Sequence, residues 1–477
     1  MTAVAATTAV AAMTQQAFAD TATAAGPVVS PPPPSTSPIT TELATYHGNL
    51  GRQGYTPAET TIKVSNVGTL QALFTYQAPN AISGQAAVTG GIAYWGDWSG
   101  DEHATSATGK NLWTTYLGRT SAPGCNPSPV GIASSATVGT LNGMEVVVTG
   151  GGAGNVVELN AATGKILWDV RIAPKVAGFV WSSPALYDGS VYIGMSSFGD
   201  CPLVASSVVM LNAQTGAVEH TFSTVPAGGC LGDGVWSSPA IDPAENAVFV
   251  TTGNATCTTP LQDAMLKLSA TDLTLESSWA VPVSQRVDDS DWGSSVTLFT
   301  AEIGGQLEQL AGSSDKNGIF YALSTADLGR GPVWEYRVAE GGDCPQCGNG
   351  SISPASWDGT TLYVAGGSTT VGTTSCPGSV DALDPATGQP LWRDCVLGGP
   401  VLGALTEVPG LLFATEGPDL VALETHNGAR RFIFRDTSAG VFYGPATVGG
   451  GVLWAGDTAG NLFAWALPQT PARLPRA

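Results

Sequence analysis

Residues 152–170, GAGNVVELNAATGKILWDV, decide the fold. Two apolar runs with the character of β-strands flank a turn that contains Asn160, Thr163 and Gly164. Glycine adopts positive φ without steric cost and asparagine tolerates it, so these residues suit a tight turn. One hairpin of this kind is only marginally stable in water. The chain repeats the hairpin, however, and therefore predicts a repeat architecture.

The repeat unit is an apolar strand that follows a short run of small residues. It recurs eight times, starting at Ala86, Ser134, Ser182, Ser237, Ser294, Ser351, Val401 and Tyr443. Most units end in a turn and an aromatic strand, as at Thr163-Gly164 and Trp168. The tryptophans are expected to fill the spaces between neighbouring units, where large aromatic rings bury the most surface.

The eighth unit ends one strand short, after Trp465, whereas residues 70–76 form a lone strand near the N-terminus. These patterns predict an all-β fold: a single eight-bladed β-propeller of four-stranded antiparallel blades, with the last blade closed by the N-terminal strand. A count of seven blades would leave residues 70–76 without a partner.

Composition agrees with this fold class. The 477 residues include 61 Gly and 32 Pro, and only 12% are charged, which favours many turns over an α/β enzyme. A formal net charge of −20 repels phosphate backbones, so a nucleic-acid partner is not expected. No run of the sequence is long and apolar enough to predict a membrane span.

The predicted domains are a signal-like segment at 1–19, a Pro/Thr-rich linker at 20–42, the propeller at 43–467 and a tail at 468–477. Residues 17–19, Ala-Phe-Ala, suit signal-peptidase cleavage, but a basic n-region is missing. The segment is therefore either an export signal whose start lies upstream or a disordered tail. The even number of cysteines, eight, favours disulfides and a secreted or otherwise extracytoplasmic location.

The motif Cys344-Pro-Gln-Cys347 has the spacing of a haem attachment site, but Gly348 stands where a histidine is required. Covalent haem is therefore not expected. The motif instead favours a small disulfide or a staple to another loop. Cys376 and Cys395 flank one hairpin and could pair, whereas the pairing of Cys125, Cys201, Cys230 and Cys257 stays open.

The best-kept repeat, ALDPATGQPLW from Ala382, resembles the repeat of pyrroloquinoline quinone (PQQ) propellers. That family includes quinoprotein alcohol dehydrogenases, polyvinyl-alcohol-dehydrogenase-like proteins and a non-enzymatic outer-membrane assembly lipoprotein. The resemblance covers roughly residues 43–467. The repeat residues are structural, so function has to be read from the loops between strands.

In a propeller, the loops before each innermost strand and those between the second and third strands meet at one end of the channel. Asp200, Asn254 and Asp291 fall in such loops, and their oxygens suit a hard cation such as calcium. Trp236 offers a flat face to a ring, and Lys316 can pair with a carboxylated anion.

The resemblance implies a role for each of these positions. Asp200, Asn254 and Asp291 would hold calcium, and Asp291 would also be the general base. Trp236 would stack under PQQ and Lys316 would contact the quinone. The neighbouring residues Trp292 and Asn317 are expected to contact the cofactor as well.

Two observations favour a different function. The family's dehydrogenases carry adjacent cysteines followed by an arginine near the cofactor, whereas the corresponding loop here, residues 95–104, offers Asp97, Asp101, Glu102 and His103. The sequence W-S-S-P also occurs at both Trp181 and Trp236, as expected for packing. Two hypotheses follow: PQQ- and calcium-dependent oxidation of an alcohol or polyol with an external electron acceptor, or a non-catalytic binding or scaffolding propeller with a protein partner at one face.

Overall fold

The computed structural model describes residues 42–226 and 228–468. The predicted signal-like segment 1–19 lies outside the described residues, as do most of the linker and most of the tail. Regular structure in the described part is almost entirely β, arranged as eight four-stranded antiparallel sheets, which confirms the predicted fold class. The helices described are 3₁₀ turns at Val67–Thr69, Val283–Gln285, Leu328–Arg330 and Pro345–Cys347.

The first four blades follow the chain in order, each from an innermost to an outermost strand. Gly178–Phe179 adds a short strand beside the second strand of blade 3. The strands are Ala87–Thr89, Ile92–Gly96, Asp101–Ser106 and Asn111–Tyr116 in blade 1; Thr137–Leu141, Met144–Gly151, Asn155–Asn160 and Ile166–Arg171 in blade 2; Ala185–Tyr187, Ser190–Ser197, Ser207–Asn212 and Val218–Ser223 in blade 3; and Ala240–Asp242, Ala247–Thr251, Ala264–Ser269 and Leu275–Ala280 in blade 4.

Blades 5 to 7 continue the same pattern. Blade 6 carries an extra hairpin, Thr369–Val371 with Thr374–Cys376, between its second and third strands. The strands are Thr297–Ile303, Gln306–Ser314, Ile319–Ser324 and Pro332–Arg337 in blade 5; Ser356–Trp357, Leu362–Gly366, Gly378–Leu383 and Pro390–Val396 in blade 6; and Thr406–Val408, Leu411–Glu416, Asp419–Glu424 and Arg430–Arg435 in blade 7.

Blade 8 is built from both ends of the described chain. Thr447–Gly449, Val452–Gly456 and Asn461–Ala466 supply three strands, and the N-terminal strand Gln71–Gln77 supplies the fourth. Gln71 pairs with Ala466 and Gln77 with Asn461, in antiparallel register. The predicted closure of the ring by an N-terminal strand is therefore confirmed, and so is the count of eight blades.

The repeated Thr-Gly turn and tryptophan join neighbouring blades, as between blades 1, 2 and 3. The Trp168 indole Nε1 of blade 2 donates to the Ala213 carbonyl of blade 3 at 2.9 Å, and a Cβ on Gly216 would lie only 2.7 Å from the indole ring. Trp113 has the same contacts with Ala161 and Gly164. The glycine is thus required both for its positive φ and for the space that the preceding blade's tryptophan occupies.

Residues 43–54 cross the centre of the ring. Their carbonyl oxygens accept backbone hydrogen bonds of 2.7 to 2.8 Å from the innermost strands of six blades, donated by Val88, Val138, Ile241, Leu298, Trp357 and Glu407. The buried Arg52 guanidinium donates to the carbonyl oxygens of Tyr46, Pro184 and Pro239. This segment spans the channel, and Tyr46 contributes to the lining of a cavity there.

No helix among the described residues has the length and hydropathy needed to cross a membrane.

Candidate quinone and metal site

Two adjoining cavities, of about 330 and about 480 Å³, occupy the loop end of the channel. Both are lined by Pro127, Trp181, Trp236 and Gln346, so they form one continuous space. The first cavity has no charged side chain in its lining. The second is lined by the charged groups of Asp200, Asp289, Asp291 and Lys316. The space therefore has an uncharged half and an ionic half.

Five of the seven predicted site residues line the ionic half: Asp200, Trp236, Asn254, Asp291 and Lys316. Asp200, Asn254 and Lys316 follow the second strands of blades 3, 4 and 5. Trp236 and Asp291 precede the innermost strands of blades 4 and 5. The structure brings these five residues together because both sets of loops meet at this end of the propeller.

Hydrogen bonds connect the polar residues into one network. Lys316 Nζ donates to Asp291 Oδ2 at 2.6 Å and to Asp289 Oδ2 at 2.9 Å. The backbone N–H of Asn254 donates to Asp291 Oδ1 at 2.7 Å. The side-chain Nδ2 of Asn254 donates to Asp289 Oδ1 at 2.6 Å and to Asp200 Oδ2 at 3.0 Å. Three carboxylates thus surround one ammonium and one amide.

Asp289 was not assigned to the site from sequence. It lies two residues before Asp291 in the run DDSD and has a positive φ of 53°, a conformation that aspartate tolerates better than most residues. Acidic residues in loops are usually solvated, so the run alone does not single out one carboxylate. The two contacts to Asn254 and Lys316 identify Asp289 as part of the network.

Burial and charge act against each other in this network. Burial raises the pKa of Asp291 and that of Asp289, and the attraction of Lys316 only partly offsets this. Burial lowers the pKa of Lys316, but its ion pairs with Asp291 and Asp289 outweigh burial and raise the pKa above its usual value. Lys316 therefore stays protonated, and the carboxylates lack a second positive charge.

Trp236 forms a flat wall of the cavity beside Lys316, whose Nζ lies 5.9 Å from the centre of a Trp236 ring. A Cβ on Gly293 would overlap the Trp236 indole, so glycine at 293 leaves room for the ring. Trp181 lines the same space, and its Nε1 donates to the Ser197 carbonyl at 3.1 Å. Both W-S-S-P tryptophans therefore border the cavity.

Trp292 and Asn317, which are also predicted to contact the cofactor, do not line either cavity. Trp292 is fully buried between blades 4 and 5, where it packs against Trp279 and Tyr321. Although Trp292 follows Asp291 directly in the sequence, its side chain lies in the core and not in the cavity. The buried Asn317 amide donates to the Tyr321 hydroxyl at 2.7 Å, while its Oδ1 accepts the Ile319 N–H. Asn317 thus stabilises its own turn.

All eight cysteines are paired: Cys125–Cys201, Cys230–Cys257, Cys344–Cys347 and Cys376–Cys395. The structure has the small disulfide within the C-P-Q-C motif, one of the two alternatives that the sequence left open, and the pair across the blade 6 hairpin that the sequence allowed. The two longer links could not be derived from sequence. Cys125 and Cys201 both line the ionic half of the cavity.

A second polar cluster lies in blade 1. Ligand atoms of Asp97, Asp101 and His103 lie within 4.8 Å of one another. The His103 ring nitrogens already contact Asp97 Oδ2 at 3.3 Å and Thr114 Oγ1 at 3.1 Å, and the ring stacks on Trp95. Both ring nitrogens of His103 therefore have polar contacts, and one face of its ring is covered by Trp95.

The fold and the cavity define a propeller of the PQQ-repeat type. A family model described as PQQ_2, outer membrane protein assembly factor BamB, matches residues 58–309 and 321–467. The chain belongs to this PQQ-repeat family, as the repeat motif implied.

Several characterised proteins are similar to the chain. A polyvinylalcohol dehydrogenase of Sphingopyxis sp. (strain 113P3) is 22% identical over 324 residues, which cover 59% of this chain and 48% of that protein. The dehydrogenase subunit of a quinone alcohol dehydrogenase of Gluconobacter oxydans is 29% identical over 193 residues, covering 38% and 24%. The chain thus spans less than half the length of these relatives.

Among solved structures, a quinohemoprotein alcohol dehydrogenase of Comamonas testosteroni superposes with a TM-score of 0.71 at 16% identity, covering 93% of this chain and 83% of that one. This likeness shows a shared fold.

Proposed function

We propose that the protein oxidises an alcohol or polyol with PQQ and calcium and passes the electrons to an external acceptor. One observation carries the proposal: Asp200, Asn254, Asp289, Asp291 and Lys316 meet beside Trp236 at the mouth of the channel. The relatives named as polyvinylalcohol and quinone alcohol dehydrogenases support the same chemistry.

The donor set fits a hard cation. Carboxylate oxygens are ligands that calcium prefers, and Asp200, Asp289 and Asp291 supply them. The Asn254 side chain, whose Nδ2 donates to Asp200 and Asp289, would supply an oxygen after its amide turns over. Three carboxylates face one ammonium, which leaves two negative charges that a divalent ion would neutralise. Burial raises the pKa values of Asp289 and Asp291, and a neighbouring carboxylate raises each of them further, so a bound cation would stabilise their charged forms.

The cavity also fits a planar, carboxylated ring. Trp236 and Trp181 supply aromatic walls, and Lys316 supplies an ammonium over the Trp236 ring, 5.9 Å from the ring centre. The uncharged half, lined by aromatic and serine side chains, has room for the body of a neutral alcohol. The substrate class proposed is therefore an alcohol or polyol without a charged group.

Each polar residue has a task in the oxidation. Asp291 accepts the proton of the substrate hydroxyl, and the Asn254 N–H and Lys316 hold its carboxylate in place. The Lys316 ammonium would also stabilise negative charge that develops on a bound quinone. When bound, PQQ supplies a two-electron acceptor and calcium supplies a Lewis acid.

Reconstitution tests the proposal. The purified protein is incubated with PQQ and calcium, and reduction of an artificial electron acceptor is followed with ethanol, a diol and polyvinyl alcohol as substrates. We expect activity that requires both additions and falls at least about 100-fold in Asp291→Asn, the usual contribution of a general base. Asp272→Asn, an exposed carboxylate of blade 4, is the control and should keep full activity. No turnover with any of these alcohols would refute the proposal.

The alternative is a non-catalytic binding or scaffolding propeller, which the family model's description as an assembly factor favours. Such a protein would bind a protein partner at one face and would not need the ionic network. Under this alternative, Asp291→Asn and Lys316→Met would leave partner binding unchanged.

We also propose an extracytoplasmic location. Four disulfides persist in oxidising compartments and are rare in the cytosol.

A further inference from the structure

The carboxylate of Asp200 is held differently from the other members of the ionic network. Its side chain is exposed and hydrogen-bonds to Asn254, whereas Asp291 is mostly buried and bonded to two residues. Asp200 lies in residues 198–206, which connect the second and third strands of blade 3. Among the described residues, no backbone–backbone hydrogen bond joins residues 199–203 to another segment of the chain.

A disulfide supplies the missing attachment. Cys201 follows Asp200 directly and is bonded to Cys125, 76 residues earlier, in the connection between blades 1 and 2. That connection is firmly held, because Thr120 and Val130 exchange two backbone hydrogen bonds of 2.9 and 3.0 Å. Val130 is also buried in a small apolar cluster with Phe179 and Phe198, against which Cys125 packs. The disulfide thus ties the Asp200 segment to a fixed support.

The second disulfide near the site provides a comparison. Cys257 follows Asn254 by three residues and pairs with Cys230. Here the two linked segments also share backbone hydrogen bonds, from Asp233 N–H to the Asn254 carbonyl at 2.6 Å and from Thr256 N–H to the Leu231 carbonyl at 2.8 Å. Losing Cys230–Cys257 would leave these bonds in place, whereas residues 199–203 have no such bonds to retain.

We infer that the Cys125–Cys201 disulfide is a positioning element that holds Asp200 in the cation-binding set. The inference rests on the proposed function, because it assigns the disulfide to the same metal site. Without the disulfide, residues 199–203 gain conformational freedom, and ordering Asp200 around a cation then has an additional entropic cost. The propeller itself keeps its strands, its tryptophan contacts and its other disulfides.

Calcium binding to the quinone-free protein tests the inference. Dissociation constants are measured by calorimetry for the wild type and for Cys125→Ser/Cys201→Ser. We expect the double variant to bind calcium roughly 10-fold or more weakly, the size found when a group that orients a metal ligand is removed. Cys230→Ser/Cys257→Ser and Cys376→Ser/Cys395→Ser are matched controls. The first should bind within about 2-fold of the wild type, and the second, outside the cavity lining, should not change.

Two further measurements separate positioning from general destabilisation. Asp200→Asn should weaken calcium binding by itself, and removing the disulfide in that background should weaken it no further, because the ligand is already lost. Thermal unfolding and circular dichroism establish that each variant is folded. If Cys125→Ser/Cys201→Ser does not fold, the oxidised wild type is partially reduced instead, and the opened disulfide is identified by mass spectrometry.

The outcomes are distinct. A folded double variant or reduced protein with wild-type calcium affinity would overturn the inference and leave the metal site standing. An equal loss in the Asp200→Asn background would also overturn it. A wild type that binds no calcium would overturn both the inference and the proposed metal site.

Discussion

Replacing Gly164 with alanine tests how one blade is joined to the next. Gly164 has a φ of +68°, and an alanine Cβ would lie 2.6 Å from Cδ2 of the Trp113 indole in the preceding blade. The indole cannot stay in place with this Cβ present. Its Nε1 hydrogen bond of 2.8 Å to the Ala161 carbonyl would therefore be lost.

The expected loss has two parts. A left-handed backbone at a residue with a Cβ costs roughly 1–2 kcal/mol. Loss of the indole hydrogen bond costs about 0.5–1.5 kcal/mol more. Gly143→Ala, in the same blade, is the matched control, because Gly143 has a φ of +78° and nothing lies within 4 Å of its Cβ position. The free energy of unfolding of Gly143→Ala should therefore fall only by the cost of the left-handed backbone conformation.

Chemical denaturation of both variants measures the difference in the free energy of unfolding. We expect Gly164→Ala to be less stable than Gly143→Ala by about 0.5–1.5 kcal/mol. In a Trp113→Ala background the difference between the two glycine variants should become smaller, because only the contact of the Cβ with Thr115 Oγ1, at 2.8 Å, remains. Equal losses in the wild-type background would refute the proposed role of the Thr-Gly turn in joining the blades.

Three further predictions concern the cavity and its surroundings. Gly293→Ala should displace Trp236 and weaken PQQ binding roughly 2- to 10-fold in a fluorescence titration, the value of an aromatic contact. Lys316→Met should lower the stability of the metal-free protein at pH 7 by roughly 3 kcal/mol, because it leaves two carboxylates without their ion pair. Burial raises the pKa of Glu102 well above its usual value, so Glu102→Gln should raise the melting temperature at pH 8 but not at pH 4.

Each of these predictions has an outcome that contradicts it. Unchanged PQQ affinity in Gly293→Ala would mean that Trp236 does not stack on the quinone. A Lys316→Met protein as stable as the wild type would mean that the ion pairs contribute nothing net. For Glu102, the folded pKa exceeds the unfolded one, so ionisation destabilises the fold as pH rises. A melting-temperature difference that is the same at both pH values would contradict the assigned burial effect.

The fold could be predicted from sequence because most blades repeat the same turn or the same aromatic strand. The Thr-Gly turn requires a residue that adopts positive φ, and the tryptophan of one blade packs on the turn glycine of the next blade. Both requirements produce recognisable residues in the sequence. The lone strand Gln71–Gln77 was placed correctly because the eighth unit lacked one strand. The path of residues 43–54 across the ring could not be predicted from sequence, because backbone groups form its hydrogen bonds to the blades and any residue type can supply them.

The site was less predictable because loops do not repeat. The convergence of Asp200, Asn254 and Asp291 followed from loop positions in the propeller. The direction of each side chain could not be predicted from these loop positions. Trp292 was therefore expected at the cavity, although it packs in the core. The Cys125–Cys201 link joins loops of different blades, and loop sequence does not encode which cysteines meet.

The central claim is that the ionic half of the cavity and Trp236 together bind PQQ with the help of a cation. Calorimetric titration of PQQ into the purified protein, with and without calcium, tests this claim directly. We expect one PQQ to bind per chain with calcium and much weaker binding in its absence. Absence of binding at every calcium concentration, with the protein folded, would contradict it.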